Sequence, residues 1–308
     1  MKIFKLISVF TGILFLVILS SFLKYKTSKQ EGKNNKRIQV SASFYPLYFF
    51  TSEIGGNRVD VKNITPAGSE PHDFEPTTRD IVRIEKSRML VLNGNIEAWG
   101  DKIKENLKGT NVEIIVAGEG LFTKQQTEEG KTSIDPHIWL SPQLAKKEAS
   151  KITAGLIKID SANSLYYKNN EKVIDEKLDK LDKEYRQRLS VCKRKDIIAS
   201  HAAFGYLVFE YGLNQVSISG LSPESEPSSK QLVEIVKFAR EHNVKYIFFE
   251  RLVSPKLSET IAREIGARTL VLDPLEGITD DEIKRGKNYF SVMRDNLKNL
   301  ETALECAK

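Results

Sequence analysis

Between Ser161 and Cys192, apolar residues fall at Ile174, Leu178, Leu181, Tyr185 and Leu189. Steps of four, three, four and four draw one continuous stripe down a helix. At 1.5 Å per residue such a helix runs roughly 40 Å, more than one small lobe needs. The stripe therefore predicts a stiff connection, residues 161–192, laid along two lobes. A chain of 308 residues is long enough for both.

Both flanks of the stripe alternate strand and helix signals. Before it, strands are read in IQVSASFYPL, VDVKNITP, RMLVLNG and NVEIIVAG. Between them lie a helix in LYFFTSEIGG closed by Gly55 and Gly56, one in TTRDIVRIEKS capped by Thr77 or Thr78 with Asp80 in its first turn, and one carrying Trp99, Ile103 and Leu107. After the stripe, DIIAS, NQVSISG, KYIFFE and RTLVLD are short apolar strands, separated by the helical segments FGYLVFEYG, SKQLVEIVKFAREHN and SPKLSETIAREIG. Leu144–Asp160 reads as a helix, Glu119–Ser133 as a polar loop, and Thr279–Cys306 as one closing helix. Strands that alternate with helices predict parallel sheets. The expected fold class is α/β: two lobes, 38–160 and 193–308, each a four-stranded parallel sheet flanked by helices, joined by one long rigid helix.

The N-terminus is of another kind. Lys2 and Lys5 precede an apolar run from Leu6 to Leu23, and Lys24 and Lys26 follow it. This is an export signal, at the short end for a spanning helix and the long end for a signal-peptide core. No small-residue cleavage site stands out and no Cys lies near the end of the run, so residues 1–26 are read as a signal peptide or an N-terminal membrane anchor, the anchor being preferred. Residues 27–37, polar and rich in Lys and Asn, make a flexible tether.

The net charge of +6 comes from 47 Lys and Arg interleaved with 41 Asp and Glu. That is a solvated surface rather than a basic arm, and with no nucleic-acid motif it excludes nucleic acid as a partner. The informative residues are the four His. His242 lies in the charged helical run FAREHNVK, whereas His72 (GSEPHDFEPT), His137 (IDPHIWLSP) and His201 (DIIASHAAF) each sit at a loop or strand end. Carboxylates surround His72 at Glu70, Asp73 and Glu75, and the strand ends of the second half carry Glu250 and Asp273 beside His201. Ligands in open parallel sheets bind beyond the carboxyl ends of strands. Three imidazoles and one carboxylate form a donor set that zinc accepts. A zinc hydrolase would need a base, and Glu250 or Glu75 is available on paper, but there is no HExxH, no GxSxG and no paired-metal carboxylate cluster. An adhesive surface protein with incidental metal is a third class.

The segments GSEPHDFEPT, IDPHIWLSP, DIIASHAAFGYLVFEYG and VLDPLEG, together with GLSPESEPSSKQL and YIFFERLVSPK, resemble the cell-surface or periplasmic metal-binding components of ABC importers for zinc and manganese. The likeness runs from Ile38 to the C-terminus. It implies two four-stranded lobes on one rigid helix with a single metal ion in the cleft. It also implies a monomer that is exported, held at the cell membrane by its N-terminus, and partnered by an ABC permease and its ATPase. Carried over by residue, the first lobe supplies His72 and His137, and the second supplies His201 and an acid. Asp273 stands where manganese- and iron-type relatives place an Asp, and Glu276 where zinc-type relatives place a Glu; Asp273 is placed ahead. Manganese-type relatives have Glu where this chain has His201, so Zn2+ is expected before Mn2+ or Fe2+. Glu119–Ser133 lacks the His of many zinc-type loops. Glu250 is expected to support a ligand or pair with a cation, and the rigid helix to let metal go with little lobe movement.

The chain has two Cys, Cys192 and Cys306. In an exported chain an even count is usually paired, and a disulfide between them is expected.

Overall fold

The computed structural model describes residues 37–128 and 131–307. In chain order the first lobe holds β1 (Ile38–Ala42), α1 (Tyr45–Gly55), β2 (Val59–Asn63), α2 (Thr78–Lys86), β3 (Met89–Leu92), α3 (Gly100–Asn106) and β4 (Glu113–Val116). A hairpin of β5 (Gln125–Glu128) and β6 (Lys131–Ile134) follows, then α4 (Pro142–Ile159) and α5 (Ser164–Ser190). The second lobe holds β7 (Asp196–Ala199), α6 (Gly205–Glu210), β8 (Asn214–Ser217), α7 (Ser229–Glu241), β9 (Tyr246–Phe249), α8 (Lys256–Ile265), β10 (Arg268–Val271), α9 (Asp280–Lys284) and α10 (Tyr289–Ala303).

The two main sheets run β2-β1-β3-β4 and β10-β9-β7-β8, with every pairing parallel. Numbered within its own lobe, the second order is the first one read backwards, so the two halves share one topology. Side chains alternate across each strand. Val40, Ala42, Met89 and Val91 face a central core, while Leu90 and Leu92 face an outer one with Ile84, Trp99 and Ile103. In the second lobe Ile197, Ala199 and Phe248 join the same central core, and Ile198 and Ile247 face an outer one with Ile235 and Ile261.

The central core is continuous because of α5. This 27-residue helix buries Ile174, Leu178, Leu181, Tyr185 and Leu189, the whole predicted stripe, with Tyr167 added. Each such side chain contributes about 1.5–3 kcal/mol on burial, so the stripe fastens both lobes to one rod. Buried hydrogen bonds add to it: Tyr185 Oη donates to Met293 O (2.6 Å), Trp139 Nε1 to Pro274 O (2.7 Å) and Tyr289 Oη to Trp139 O (2.5 Å). Cys192 and Cys306 are joined, tying the end of α5 to the end of α10 across 114 residues of sequence.

Two expectations change. The closing helix is two helices, because Gly286 takes a left-handed φ of +83° and Asn288 starts a new helix by accepting from Ser291 N. The polar loop 119–133 contains the antiparallel hairpin β5–β6. Segment 1–26 and nearly all of the tether lie outside the described residues, among which no helix is long and apolar enough to cross a membrane.

Candidate metal centre

Two of the histidine loops share one local device. In Glu70-Pro71-His72, between β2 and α2, the backbone N–H of His72 donates to Glu70 Oε1 at 3.1 Å. In Asp135-Pro136-His137, after β6, the N–H of His137 donates to Asp135 Oδ1 at 3.0 Å. An acid that accepts from the residue two ahead closes a tight turn, and the intervening Pro restricts the backbone on both sides. The first loop is anchored where α2 begins: Thr77 and Asp80 cap each other reciprocally. His201 leaves the end of β7 and is held instead by Glu250 at the end of β9, 2.6 Å from His201 Nδ1, with the Ser200 hydroxyl donating to the same oxygen.

These contacts fix ring tautomers. Asp135 Oδ1 lies 2.8 Å from His137 Nδ1, and an ionised carboxylate only accepts, so in both His137 and His201 one proton sits on Nδ1, and loss of any other leaves Nε2 as the lone-pair donor. All three Nε2 atoms converge on Glu276. Glu276 Oε1 is 3.1 Å from His72 Nε2, 3.1 Å from His137 Nε2 and 3.3 Å from His201 Nε2. His137 Nε2 is 3.3 Å from each of the other two Nε2 atoms, and all four donors lie within 4.8 Å of one another. Bonds of about 2.0–2.1 Å to a tetrahedral ion set ligand atoms about 3.3–3.4 Å apart, so five of the six edges have the size a zinc site needs.

The centre is dry and electrostatically polarised. His137, His201 and Glu276 are buried, and only the His72 side chain, 10% exposed, reaches the surface. Burial pushes His72 below its usual range. At His201 burial acts the same way but the Glu250 and Glu276 carboxylates outweigh it, holding the imidazolium well above that range. Burial would raise Glu276, yet His201, His137 and His72 hold it well below. Glu70, buried against Glu276, is pushed up to about 9.

Glu276, not Asp273, stands with the three histidines. Asp273 Oδ1 accepts from Leu275 N at 2.8 Å, its Oδ2 faces Arg251 Nε at 3.6 Å, and its backbone is clamped by Asn296 through bonds of 2.9 and 2.7 Å. Leu275 takes a left-handed φ of +61°, a costly conformation for a branched side chain, and the Asp273 carboxylate braces it. That turn presents Glu276 to the cleft, so the short acid at the strand end positions the longer one. Of the other candidates, Asp73 and Glu75 are exposed, and His242 stacks on Phe238 and bonds Asp196.

Sequence reasoning named Glu70 beside His72 but missed Asp135 and Ser200. The acid-Pro-His pattern, present twice, is the signal for Asp135; nothing local marks Ser200. Gly205 also serves the site, because a Cβ there would lie 2.6 Å from Asp135 Oδ2. The cleft opens at His72 into a cavity of about 600 Å³, whose walls include Asn95, Gln126, Ser219, Ser222 and Gln231.

Comparison with known proteins gives the same picture. The model of the family described as zinc-uptake complex component A, periplasmic, matches residues 40–303. The high-affinity zinc uptake system protein ZnuA of Bacillus subtilis is 40% identical over 280 residues, covering 87% of this chain and 88% of that one. Zinc-binding protein AdcA of Streptococcus pyogenes is 37% identical over 317 residues; these cover 96% of this chain but 62% of AdcA, so the chain spans about three-fifths of that relative. Among solved structures, the Zn(II)-bound ZnuA-like domain of Streptococcus pneumoniae AdcA superposes with a TM-score of 0.77 at 36% identity, covering 87% of this chain and 99% of the domain. With two lobes of one topology, a long connecting helix and a match over nearly all of its folded length, this chain belongs to the zinc-uptake complex component A family.

Proposed function

We propose that this protein captures one divalent transition metal ion, zinc ahead of manganese or iron, between lobes 38–160 and 193–308 and delivers it to an ABC permease and its ATPase. The ligands are His72, His137, His201 and Glu276. One observation carries the reading: three imidazole Nε2 donors and a carboxylate oxygen point at one another at 3.1–3.3 Å inside a buried cleft. Gathered this closely in a dry cleft, these atoms form the donor set a divalent cation takes up, and at His137 and His201, both raised, a proton shared with Glu276 holds the place that metal would take. Imidazole-rich sets suit zinc, and both curated relatives carry zinc in their names.

The donor count favours carriage over catalysis. A catalytic zinc keeps three protein ligands and an open position for water, whereas four protein donors meet here. Glu250 is engaged by His201 and Ser200, and Glu75 is exposed, so neither faces the centre as a base. The protein works outside the cell as a monomer, with residues 1–26 holding it to the membrane. Because α5 and the buried bonds fasten the lobes, release proceeds by movement of the His72 loop and not by a hinge.

Calorimetry on metal-stripped protein should give one zinc per chain, with manganese bound more weakly, and scattering profiles with and without zinc should superimpose. A stoichiometry near zero or two would contradict the reading. So would a fall in radius of gyration of several Å, expected of hinge closure.

A further inference from the structure

On the outer face of the first sheet, where α2 crosses β1 and the edge strand β2, a groove of about 360 Å³ collects positive charge. Its walls include Ser41, Lys62, Arg79, Val82, Arg83 and Lys86. Arg79, Arg83 and Lys86 recur at steps of four and three along α2 and share a face, and Lys62 projects from β2 on the same side as Ser41 does from β1. Of these cations only Arg83 has an acidic partner, Asp80 at 3.3 Å; Lys62, Arg79 and Lys86 have none among the described residues. The nearby Asp60 carboxylate is held by Gln39 Nε2 at 3.0 Å.

The floor of the groove supplies an independent observation. Ser41 is 1% exposed, and its Oγ is buried without a hydrogen-bond partner. Such orphan hydroxyls are uncommon and ask for a cause. The groove's other serine, Ser87, is satisfied by donating to Ile84 O at 2.7 Å. Ordinary structural roles explain part of the cluster: a Lys on an edge strand deters pairing, and cations suit the last turn of a helix. They do not explain Arg79, which stands in the first turn of α2 against the helix dipole, nor the hydroxyl.

We propose that this groove binds a phosphate group. Arg79 presents a planar fork to two of its oxygens, Lys62 and Lys86 neutralise its charge, and Ser41 donates from the floor. The phosphate comes either from the free ion or from the headgroup of an anionic phospholipid, the surface toward which the N-terminal segment of an exported chain leads. The site is separate from the metal centre, so its test and that of metal capture fail independently.

Residues 38–308 form a compact unit with their own cores and disulfide, and suit the experiment. Inorganic phosphate is titrated calorimetrically, and binding to phosphatidylglycerol and phosphatidylcholine vesicles is measured by co-sedimentation. Saturable binding of inorganic phosphate names the free ion as the source. Binding to phosphatidylglycerol vesicles alone names the lipid. In either case Arg79→Gln with Lys86→Gln should weaken binding by about 25-fold, taking roughly fivefold per cation, and Ser41→Ala should weaken it several-fold. Zinc stoichiometry should stay at its wild-type value in each variant, showing that the fold is intact. The control pair Lys230→Gln with Lys237→Gln, on α7, should leave binding unchanged. No saturable binding to either probe, survival of binding in the Arg79/Lys86 variant, or an equal loss in the control pair would overturn the proposal.

Discussion

The two acid-Pro-His loops carry the same pattern and use it differently. In Asp135-Pro136-His137 the short carboxylate reaches both the backbone N–H and the ring Nδ1 of its own histidine, at 3.0 and 2.8 Å, and the ring is fully buried. In Glu70-Pro71-His72 one more methylene carries the carboxylate past the ring. Its Oε1 takes the backbone N–H, at 3.1 Å, the carboxyl lies against Glu276 and not against the ring of His72, and that ring borders the open cavity. Electrostatics separates them as well: burial opposes charge on both rings, but Asp135 and Glu276 overcome it at His137, which is raised, while His72 is lowered. A ring held at both nitrogens is a post; a ring held at one, at the mouth of the cleft, is the less constrained of the two. On the proposed function, metal exchange runs through His72.

The largest expected effect tests that asymmetry directly. His137→Ala deletes a fully buried ligand and takes the ring from Asp135, which keeps only a backbone N–H, so it breaks a buried charged pair, a loss of about 3–5 kcal/mol. Zinc affinity should fall by at least about 10³-fold. In His72→Ala a cavity water takes the vacant position, so the loss should be roughly ten- to a hundredfold, with faster release. Chelator competition measures both, and equal losses would erase the distinction between the loops.

The supporting acids should differ next. Asp135→Ala frees the His137 tautomer and should cost about 10–100-fold in affinity, whereas Glu70→Gln, which touches no ring nitrogen, should stay within about threefold, the range of a change of well under 1 kcal/mol. Gly205→Ala falls between them, because its new Cβ, 2.6 Å from Asp135 Oδ2, must push that carboxylate aside. A wild-type affinity in Gly205→Ala would show that Asp135 has slack the close contact does not suggest.

The smallest effect is a pair of opposite pH slopes in metal-free protein. His201 is raised in the folded state, because Glu250 and Glu276 outweigh burial. Its contribution to stability is therefore complete below about pH 6.5, the ordinary imidazole value, and is lost as pH climbs through the folded value. His72 is lowered by burial, so its contribution is present above about pH 6.5 and is lost as pH falls through the folded value. His201→Gln should flatten the alkaline side of a melting-temperature profile, and His72→Gln the acid side. The same slope in both variants would contradict the assignment.

Much of this was legible in the sequence, for identifiable reasons. The long helix could be read because its stripe keeps one period over five residues, all of which are buried. The strands could be read because each is a short apolar run bounded by turn residues. The closing helix was read as one because its 3.6-residue pattern continues on both sides of Gly286, and only the left-handed backbone at that glycine breaks it. The three histidines stood out by scarcity. The choice of acid did not, since Asp273 and Glu276 lie three residues apart in one loop, and what separates them is a single left-handed residue, Leu275, braced by Asp273 itself. Local sequence does not announce a strained turn at a residue that is neither Gly nor Asn.

The central claim is that three imidazoles and Glu276 hold one zinc ion. The most direct measurement is the zinc X-ray absorption fine structure of the loaded protein, wild type beside His72→Ala and Glu276→Ala. The account predicts four nitrogen and oxygen neighbours at about 2.0 Å, with the outer-shell signature of three imidazoles in the wild type, three in Glu276→Ala and two in His72→Ala. Two imidazoles in the wild type, or a spectrum unchanged by His72→Ala, would contradict it.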